Sequence, residues 1–141
     1  PVTAEDGSPR NLTYPVAYRT TSQPEQLQEI QSTGADPYGF VSWLNGVRAQ
    51  YGLGAVSYDG NLSAWGAVND QSQRAYGMGH HVMPARRQNA GAGQSPSVIF
   101  PMWLASPGHR AALLDPSITT VGISATPSGN AYGYYWTFNA N

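Results

Sequence analysis

Apolar residues recur at helical spacing in the stretch that follows residue 36. Asp36 is a capping residue followed by a proline, and Gly52 is a typical helix stop. Between them, Phe40, Leu44 and Val47 fall three or four positions apart. This pattern predicts an amphipathic helix over residues 37–51.

A second helical stripe follows Asp59, a residue type favoured at helix N-termini. The members of the stripe, which we expect to be buried, are Leu62, Trp65, Val68 and Tyr76. Two further helices are predicted, a short one between residues 22 and 34 and one from residue 95 to about 105. Pro101 lies inside the latter and predicts a kink or two separate turns, because proline lacks the amide donor. Residues 77–94, rich in glycine and proline, are predicted to be loop or weak strand.

Strict alternation replaces helical spacing at the C-terminal end. Val121, Ile123 and Ala125 alternate with other residues, and a turn sequence follows at 127–130. The next apolar positions, expected to face the core, are Tyr132, Tyr134, Trp136 and Phe138. Tyr135, on the opposite face, is a candidate for surface display or for packing beneath a helical layer. Helices followed by a hairpin predict an α+β fold in which helices cover an antiparallel sheet.

Composition excludes several classes of function. The chain has 141 residues and a net charge of −1, and without a basic run it lacks the charge pattern of a nucleic-acid-binding protein. Its apolar stretches are too short to cross a membrane. It contains no lysine and no cysteine, which excludes Schiff-base chemistry, disulfides and thiol catalysis. All glutamates lie within the first 29 residues, so the rest of the chain cannot supply a pair of catalytic glutamates.

Three histidines are the side chains that titrate near neutral pH. His80 and His81 follow the second stripe, and each is most simply a loop histidine. His109 lies three residues after Ser106, a spacing that permits a serine nucleophile with an imidazole base and Asp115 as the orienting acid. A turn role for Ser106, which precedes Pro-Gly, is the simpler interpretation.

Residues 103–110 read Trp-Leu-Ala-Ser-Pro-Gly-His-Arg. This segment resembles the Trp-x-x-Ser-Pro-Gly-His-Arg motif of bacterial CAP domains (cysteine-rich secretory, antigen 5, pathogenesis-related type 1), also called SCP-like extracellular domains. Residues 44–53, Tyr58-Asp59, His80 and residues 135–137 resemble further family signatures. The resemblance spans about residues 40–138, so we divide the chain into an N-terminal arm, 1–39, and a CAP domain, 40–141.

The resemblance implies an α–β–α sandwich with a central antiparallel sheet, and secretion to the outside of the cell. We also expect a monomer. Many family members have a cleft with two histidines and two glutamates, which in some of them holds a divalent metal. The histidines match His80 and His109, but Gln88 and Ser106 occupy the two glutamate positions. We therefore expect no cofactor and no metal, or at most weak zinc or calcium binding through His80 and His109.

The function implied is a secreted, non-catalytic binding or structural module. Its polar cleft would comprise His80, Gln88, Ser106 and His109, and suits a glycan, peptide or lipid of a cell surface or cell wall better than an ion. The same four residues could equally be a buried polar network that stiffens the loops. The alternatives are a hydrolase using Ser106 and His109, a weak divalent-metal-binding CAP protein, and an interaction domain acting through its aromatic strand.

Overall fold

The computed structural model describes residues 36–141, so the predicted helix at 22–34 lies outside the described residues. The helices are α1 Phe40–Gln50, α2 Gly60–Tyr76, α3 Pro96–Ala105 and α4 Pro107–Leu113, and a 3₁₀ turn, Pro37–Gly39, precedes α1. The strands are β1 Ser57–Tyr58, β2 Arg87–Gly93, β3 Thr120–Pro127 and β4 Tyr134–Ala140. In residues 36–141 no helix is both long enough and apolar enough to cross a bilayer.

The four strands form one sheet in the order β1-β3-β4-β2. The predicted hairpin is β3 and β4, and both β3–β4 and β4–β2 are antiparallel. The short strand β1 pairs with β3 in parallel. Opposite residues across the sheet include Gly122, Asn139 and Gln88, which therefore share one face. The expected helix-covered sheet is confirmed, with one short parallel pair at its edge.

One face of the sheet carries the apolar core. Phe138 of β4 lies 5.4 Å from Phe40 of α1 and 6.4 Å from Trp103 of α3, between ring centroids. The other buried members of the cluster are Leu44, Val56, Ile99, Phe100, Ala112, Leu113, Ile118, Val121, Ile123, Trp136 and Ala140. Helices α1, α3 and α4 thus form one layer, held by burial of aromatic and aliphatic surface.

Helix α2 covers the opposite face, and its interface with the sheet is polar and close. Gly122 of β3 lies directly beneath Leu62 and Ser63 of α2. The buried residues of α2 include Asn69, Asp70 and Gln73. Their side chains hydrogen-bond to the sheet, which satisfies polar groups that burial would otherwise leave unpaired. Helices on both faces make the predicted α–β–α sandwich.

The predicted start of the first helix is wrong by three residues. Tyr38 and Gly39 have positive φ values, 61° and 66°, which breaks the helix before Phe40. Asp36 nevertheless acts as its cap, because its carboxylate accepts from the amides of Val41 at 2.7 Å and Ser42 at 3.1 Å. Asp36 reaches these amides across the left-handed turn at Tyr38 and Gly39. The sequence spacing that normally identifies a capping residue does not reveal this arrangement.

The second helix begins as predicted, because Asp59 accepts from the Asn61 amide at 2.8 Å. Leu62 and Trp65 are buried, but Tyr76 is 77% exposed, contrary to prediction. Tyr76 lies in the last turn beside the ring of His81, 5.9 Å between centroids, rather than against the sheet. The face of this helix that packs against the sheet is largely polar. A prediction based on apolar residues at helical spacing therefore does not locate it.

Two other predictions are corrected at the C-terminal half. Helix α3 continues through Pro101 as one element, so the expectation of two separate turns is wrong. Trp136 and Phe138 are buried as expected, but Tyr132 and Tyr134 are exposed. Strand β4 begins at Tyr134, so Tyr132 belongs to the turn and cannot follow the alternation. Tyr135 is buried, the second of the two possibilities considered.

Candidate functional site

His80 is buried and its ring is hydrogen-bonded to Gln88 of β2. The imidazole Nδ1 lies 2.6 Å from Oε1 of Gln88. The Gln88 amide nitrogen donates to the Val82 carbonyl at 2.7 Å and to Oδ1 of Asn139 at 2.8 Å. Asn139 donates in turn from Nδ2 to the Leu62 carbonyl of α2 at 3.0 Å. A continuous chain of hydrogen bonds therefore joins His80 to helix α2 across the sheet.

This hydrogen-bond chain has one direction. The Val82 carbonyl can only accept, so the Gln88 nitrogen faces it and Oε1 faces His80. Nδ1 of His80 is then the donor, and in the neutral imidazole the proton resides on Nδ1. A carboxylate in place of Gln88 would set an anionic oxygen against the acceptors of Val82 and Asn139. An amide fits this position and a glutamate does not.

Ser106 and His109 form a second pair at the start of α4. Ser106 is the N-cap residue, and its side chain makes no capping hydrogen bond. Its Oγ instead lies 2.9 Å from Nδ1 of His109. Both residues are half-buried, and Asn89 of β2 donates from Nδ2 to the His109 carbonyl at 3.0 Å. The pair is thus fixed to β2 through the backbone of His109.

The two pairs are attached to opposite faces of one strand. Gln88 and Asn89 are neighbours in β2, so their side chains point to opposite sides of the sheet. Strand β2 is at the end of the described sheet, which places both pairs along the same sheet edge. The structure brings His80 to Gln88 and Ser106 to His109; that all four share one cleft stays a prediction.

Asp115, the expected orienting acid, is engaged elsewhere. Its Oδ1 accepts from the amide and hydroxyl of Ser117 at 2.8 and 2.6 Å, and its Oδ2 lies 3.6 Å from Nε of Arg87. Partial burial alone would raise its pKa, but the Ser117 hydrogen bonds and the charges of Arg87 and Arg86 lower it overall. Both carboxylate oxygens are therefore directed to this surface cluster.

The donor set around His80 does not fit a divalent metal. Among residues 36–141, no three His, Cys, Asp or Glu side chains lie close enough together to hold one. Oε1 of Gln88 is engaged with Nδ1 of His80, and the amide nitrogen is a donor that cannot ligate. Structural and catalytic metal sites need several converging donors, commonly anionic.

Sequence reasoning missed the polar residues that support these pairs. Asn139 and Asn89 hold Gln88 and His109, respectively, and neither was a candidate. Both are buried polar residues within strands. The signal that could have found Asn139 is the polar half of the alternation in β4, which has to be satisfied once helices cover both faces. Strand β2 has no such alternation, because Gln88 and Asn89 are consecutive, so it gives no comparable signal for Asn89.

The comparisons with known proteins agree with this architecture. The sequence model of the Cysteine-rich secretory protein family, CAP, matches residues 41–140, more than two thirds of the chain. The chain therefore belongs to this family. No curated protein sequence is significantly similar to it.

Solved structures with the same fold come from distant relatives. An extracellular protein containing an SCP domain from Bacillus anthracis is 16% identical, with a TM-score of 0.62 over 84% of this chain and 43% of that chain. MpPR-1i is 17% identical, with a TM-score of 0.58 over 75% and 93%. An outer surface protein from Borrelia burgdorferi is 15% identical, with a TM-score of 0.56 over 83% and 93%. At these identities the likeness establishes the fold alone.

Proposed function

We propose that this CAP domain is an extracellular, metal-independent and non-catalytic binding module. The observation that carries the proposal is the fixed orientation of the Gln88 amide, which occupies the position where the family resemblance expects a glutamate. His80 and Gln88 act as a rigid internal support, because both are buried and bonded to the strand and helix around them. Ser106 and His109 are half-buried rather than buried, and they are the members of the predicted cleft that we assign to ligand contact.

The ligand class follows from the chemistry of these groups. Ser106 and His109 offer a hydroxyl and an imidazole, which can both donate and accept hydrogen bonds. With no carboxylate assigned to either pair, a neutral polar ligand suits the site better than a cation. A surface glycan, a peptide or a lipid head group meets this description. Location outside the cell is supported by the extracellular and outer-surface proteins that share the fold.

Titration with Zn²⁺, and separately with Ca²⁺, tests the metal-independent part. Calorimetry of the wild-type protein should show no binding with a Kd below about 100 μM. The reason is that, within residues 36–141, no anionic donor converges on either histidine pair. His80→Ala and His81→Ala form a matched pair, because both histidines follow α2 but only His80 contacts Gln88. A micromolar Kd that disappears in His80→Ala and persists in His81→Ala would refute the proposal.

One observation favours a second candidate, a hydrolase. Oγ of Ser106 lies within hydrogen-bond reach of an imidazole nitrogen, as a serine nucleophile and its base require. Asp115 does not complete the set, since its oxygens are engaged with Ser117 and arginines. Asp115 is therefore not the group that orients the imidazole of His109 in this pair.

Turnover of p-nitrophenyl acetate separates the two candidates. The binding proposal expects the same slow ester hydrolysis in the wild type and in Ser106→Ala. Ser95→Ala is the matched control, because Ser95 is also an N-cap residue without a capping side-chain bond. A loss of about 100-fold or more in Ser106→Ala, with Ser95→Ala unchanged, would establish the hydrolase instead.

A further inference from the structure

A buried carboxylate lies between α2 and the sheet, away from both histidine pairs. Asp70 is 0% exposed. Ser124 of β3 donates to its Oδ2 at 2.6 Å, and Thr137 of β4 donates to its Oδ1 at 2.6 Å. Gln73, one turn further along α2, adds a longer hydrogen bond from Nε2 to Oδ1 at 3.3 Å. The carboxylate is thus clamped by one helix and two strands.

Within residues 36–141, the groups that face Asp70 are uncharged. They are Gln73 on α2, Ser124 and Thr126 on β3, Thr137 on β4 and, in the same register, Ala90 on β2. Arg74, the cation nearest along α2, is exposed and directed toward Gly129. Among the described residues, Tyr38 is affected by the charge of Asp70. Burial raises the pKa of Tyr38 most, and the Asp70 carboxylate raises it further. Burial raises the pKa of Asp70 to about 8, although the hydrogen bonds from Ser124 and Thr137 lower it.

The same network continues to the segment that carries His80. Thr137 Oγ1, which donates to Asp70, accepts from Nδ2 of Asn69 at 3.1 Å. Oδ1 of Asn69 accepts from the amides of His81 at 2.7 Å and Val82 at 2.9 Å. The Val82 carbonyl in turn accepts from Gln88, the partner of His80. Four hydrogen-bonded steps therefore lead from Asp70 to the His80–Gln88 pair.

We propose that Asp70 is a proton-binding switch whose ionisation is transmitted through Thr137 and Asn69 to residues 79–82. With Asp70 neutral, its proton is donated from Oδ2 to the Ser124 hydroxyl while Oδ1 still accepts from Thr137, and the network holds this segment against β2 and fixes the His80–Gln88 pair. With Asp70 ionised, a buried anion without a cation strains the interface between α2 and the sheet. The segment then loosens, and the buried face of the candidate site opens at alkaline pH.

The direction of the pH dependence follows from linkage. The carboxyl group of Asp70 holds its proton more tightly in the folded state than in the unfolded chain, where an aspartate titrates near about 3.9. Its contribution to stability is therefore complete below about pH 4. That contribution is lost as the pH rises through about 8, and the melting temperature of the wild type should fall across this interval. Asp70→Asn, which cannot ionise, should remove this fall.

NMR titration from pH 4 to pH 10 tests the switch directly. The ¹³C carboxyl signal of Asp70 should titrate near pH 8, and the amide shifts of His81 and Val82 should follow the same curve. In Asp70→Asn, the alkaline part of those amide shifts should vanish. A carboxyl signal that titrates near the ordinary value, stays protonated throughout, or changes without the two amides would overturn the proposal.

Two further variants distinguish transmission through Thr137 from a general loss of stability. They also test the switch if Asp70→Asn does not fold. Thr137→Val removes the hydroxyl that joins Asp70 to Asn69, and should reduce the alkaline amide shifts of His81 and Val82 by at least about half. Ser124→Ala removes a donor to the same carboxylate but leaves the link intact, so those shifts should persist. Equal responses in the two variants would show that Thr137 is not the route.

Discussion

Replacing Arg48 by methionine should lower the free energy of unfolding by about 3 kcal/mol or more. Arg48 of α1 is buried, with 1% of its surface exposed. Its Nε donates to the Gly54 carbonyl at 2.8 Å, and its Nη1 donates to the carbonyls of Leu113 and Asp115 at 2.9 and 3.0 Å. The guanidinium thus joins the end of α1 to the end of α4.

The size of this effect follows from the acceptors that would be left behind. Methionine fills a similar volume but cannot donate, so the buried Leu113 carbonyl would lose its partner at roughly 1–3 kcal/mol. The part-buried carbonyls of Gly54 and Asp115 would lose theirs at a smaller cost, since water can reach them. The Leu113 carbonyl is at the C-terminus of α4, where a cation is also favoured by the helix dipole. Burial lowers the pKa of Arg48, and the charge of Asp115 opposes that shift.

Urea unfolding of Arg48→Met and Arg110→Met provides the measurement. Arg110 lies in α4 but is exposed, so its loss should change stability by no more than about 0.5 kcal/mol. The free energy of unfolding of Arg48→Lys should lie between those of the wild type and Arg48→Met. The reason is that a lysine ammonium is a compact donor without the planar guanidinium that spans separate carbonyls. Stability of Arg48→Met within about 1 kcal/mol of the wild type would show that the carbonyls find other donors.

A methyl group added at Gly122 should lower the free energy of unfolding about as much as replacing Arg48 by methionine does. A Cβ built on Gly122 would lie 2.6 Å from the carbonyl carbon of Leu62, and closer still to the backbone nitrogen of Ser63. Both atoms belong to the backbone of α2, so no side-chain rotation can relieve the overlap. Ser63 also accepts from the Ile123 amide through its hydroxyl at 2.9 Å, and moving the helix would break that hydrogen bond. We expect Gly122→Ala to lose about 3 kcal/mol or more, or not to fold.

Gly46→Ala is the matched control for this prediction. Gly46 lies within α1, and apart from its chain neighbours and the backbone of its own helix no atom lies within 4 Å of the position that a Cβ would take. Alanine there should stabilise the protein by up to about 1 kcal/mol, since it has the higher helix propensity. Urea unfolding of both variants measures the contrast. If Gly122→Ala matched the wild type, the close approach of α2 to β3 would be wrong.

The arrangement of elements could largely be predicted from local signals. Asp59 marked the start of α2, and the alternation around Ile123 and Phe138 marked the hairpin. These features are local, because capping and period-two alternation involve neighbours in the chain. The start of α1 could not be placed, since Tyr38 adopts a left-handed conformation that its residue type does not indicate.

The candidate site also has residues that local sequence signals identified and residues that they did not. The motif at residues 103–110 identified Ser106 and His109, and the structure confirms their contact. The family resemblance placed His80 and Gln88 in one predicted cleft without pairing them, and the structure brings their side chains to 2.6 Å. Asn139, Asn89 and the Asp70 network were not anticipated, because their hydrogen bonds, apart from the one between Gln73 and Asp70, join residues far apart in the chain.

By itself, the sequence determined the helices and the hairpin of the described residues and the lack of thiol and lysine chemistry. That Gln88 stands at a glutamate position is what the family resemblance implies. Tertiary structure decided which polar residues became internal. Helices cover both faces of the sheet, so Thr137 and Asn139 of β4 are buried beneath α2 rather than solvated. Once buried, they had to pair with groups from α2 and β2, since an unpaired polar group in the interior is costly. That requirement, which no local pattern carries, fixed the direction of the Gln88 amide and enclosed Asp70.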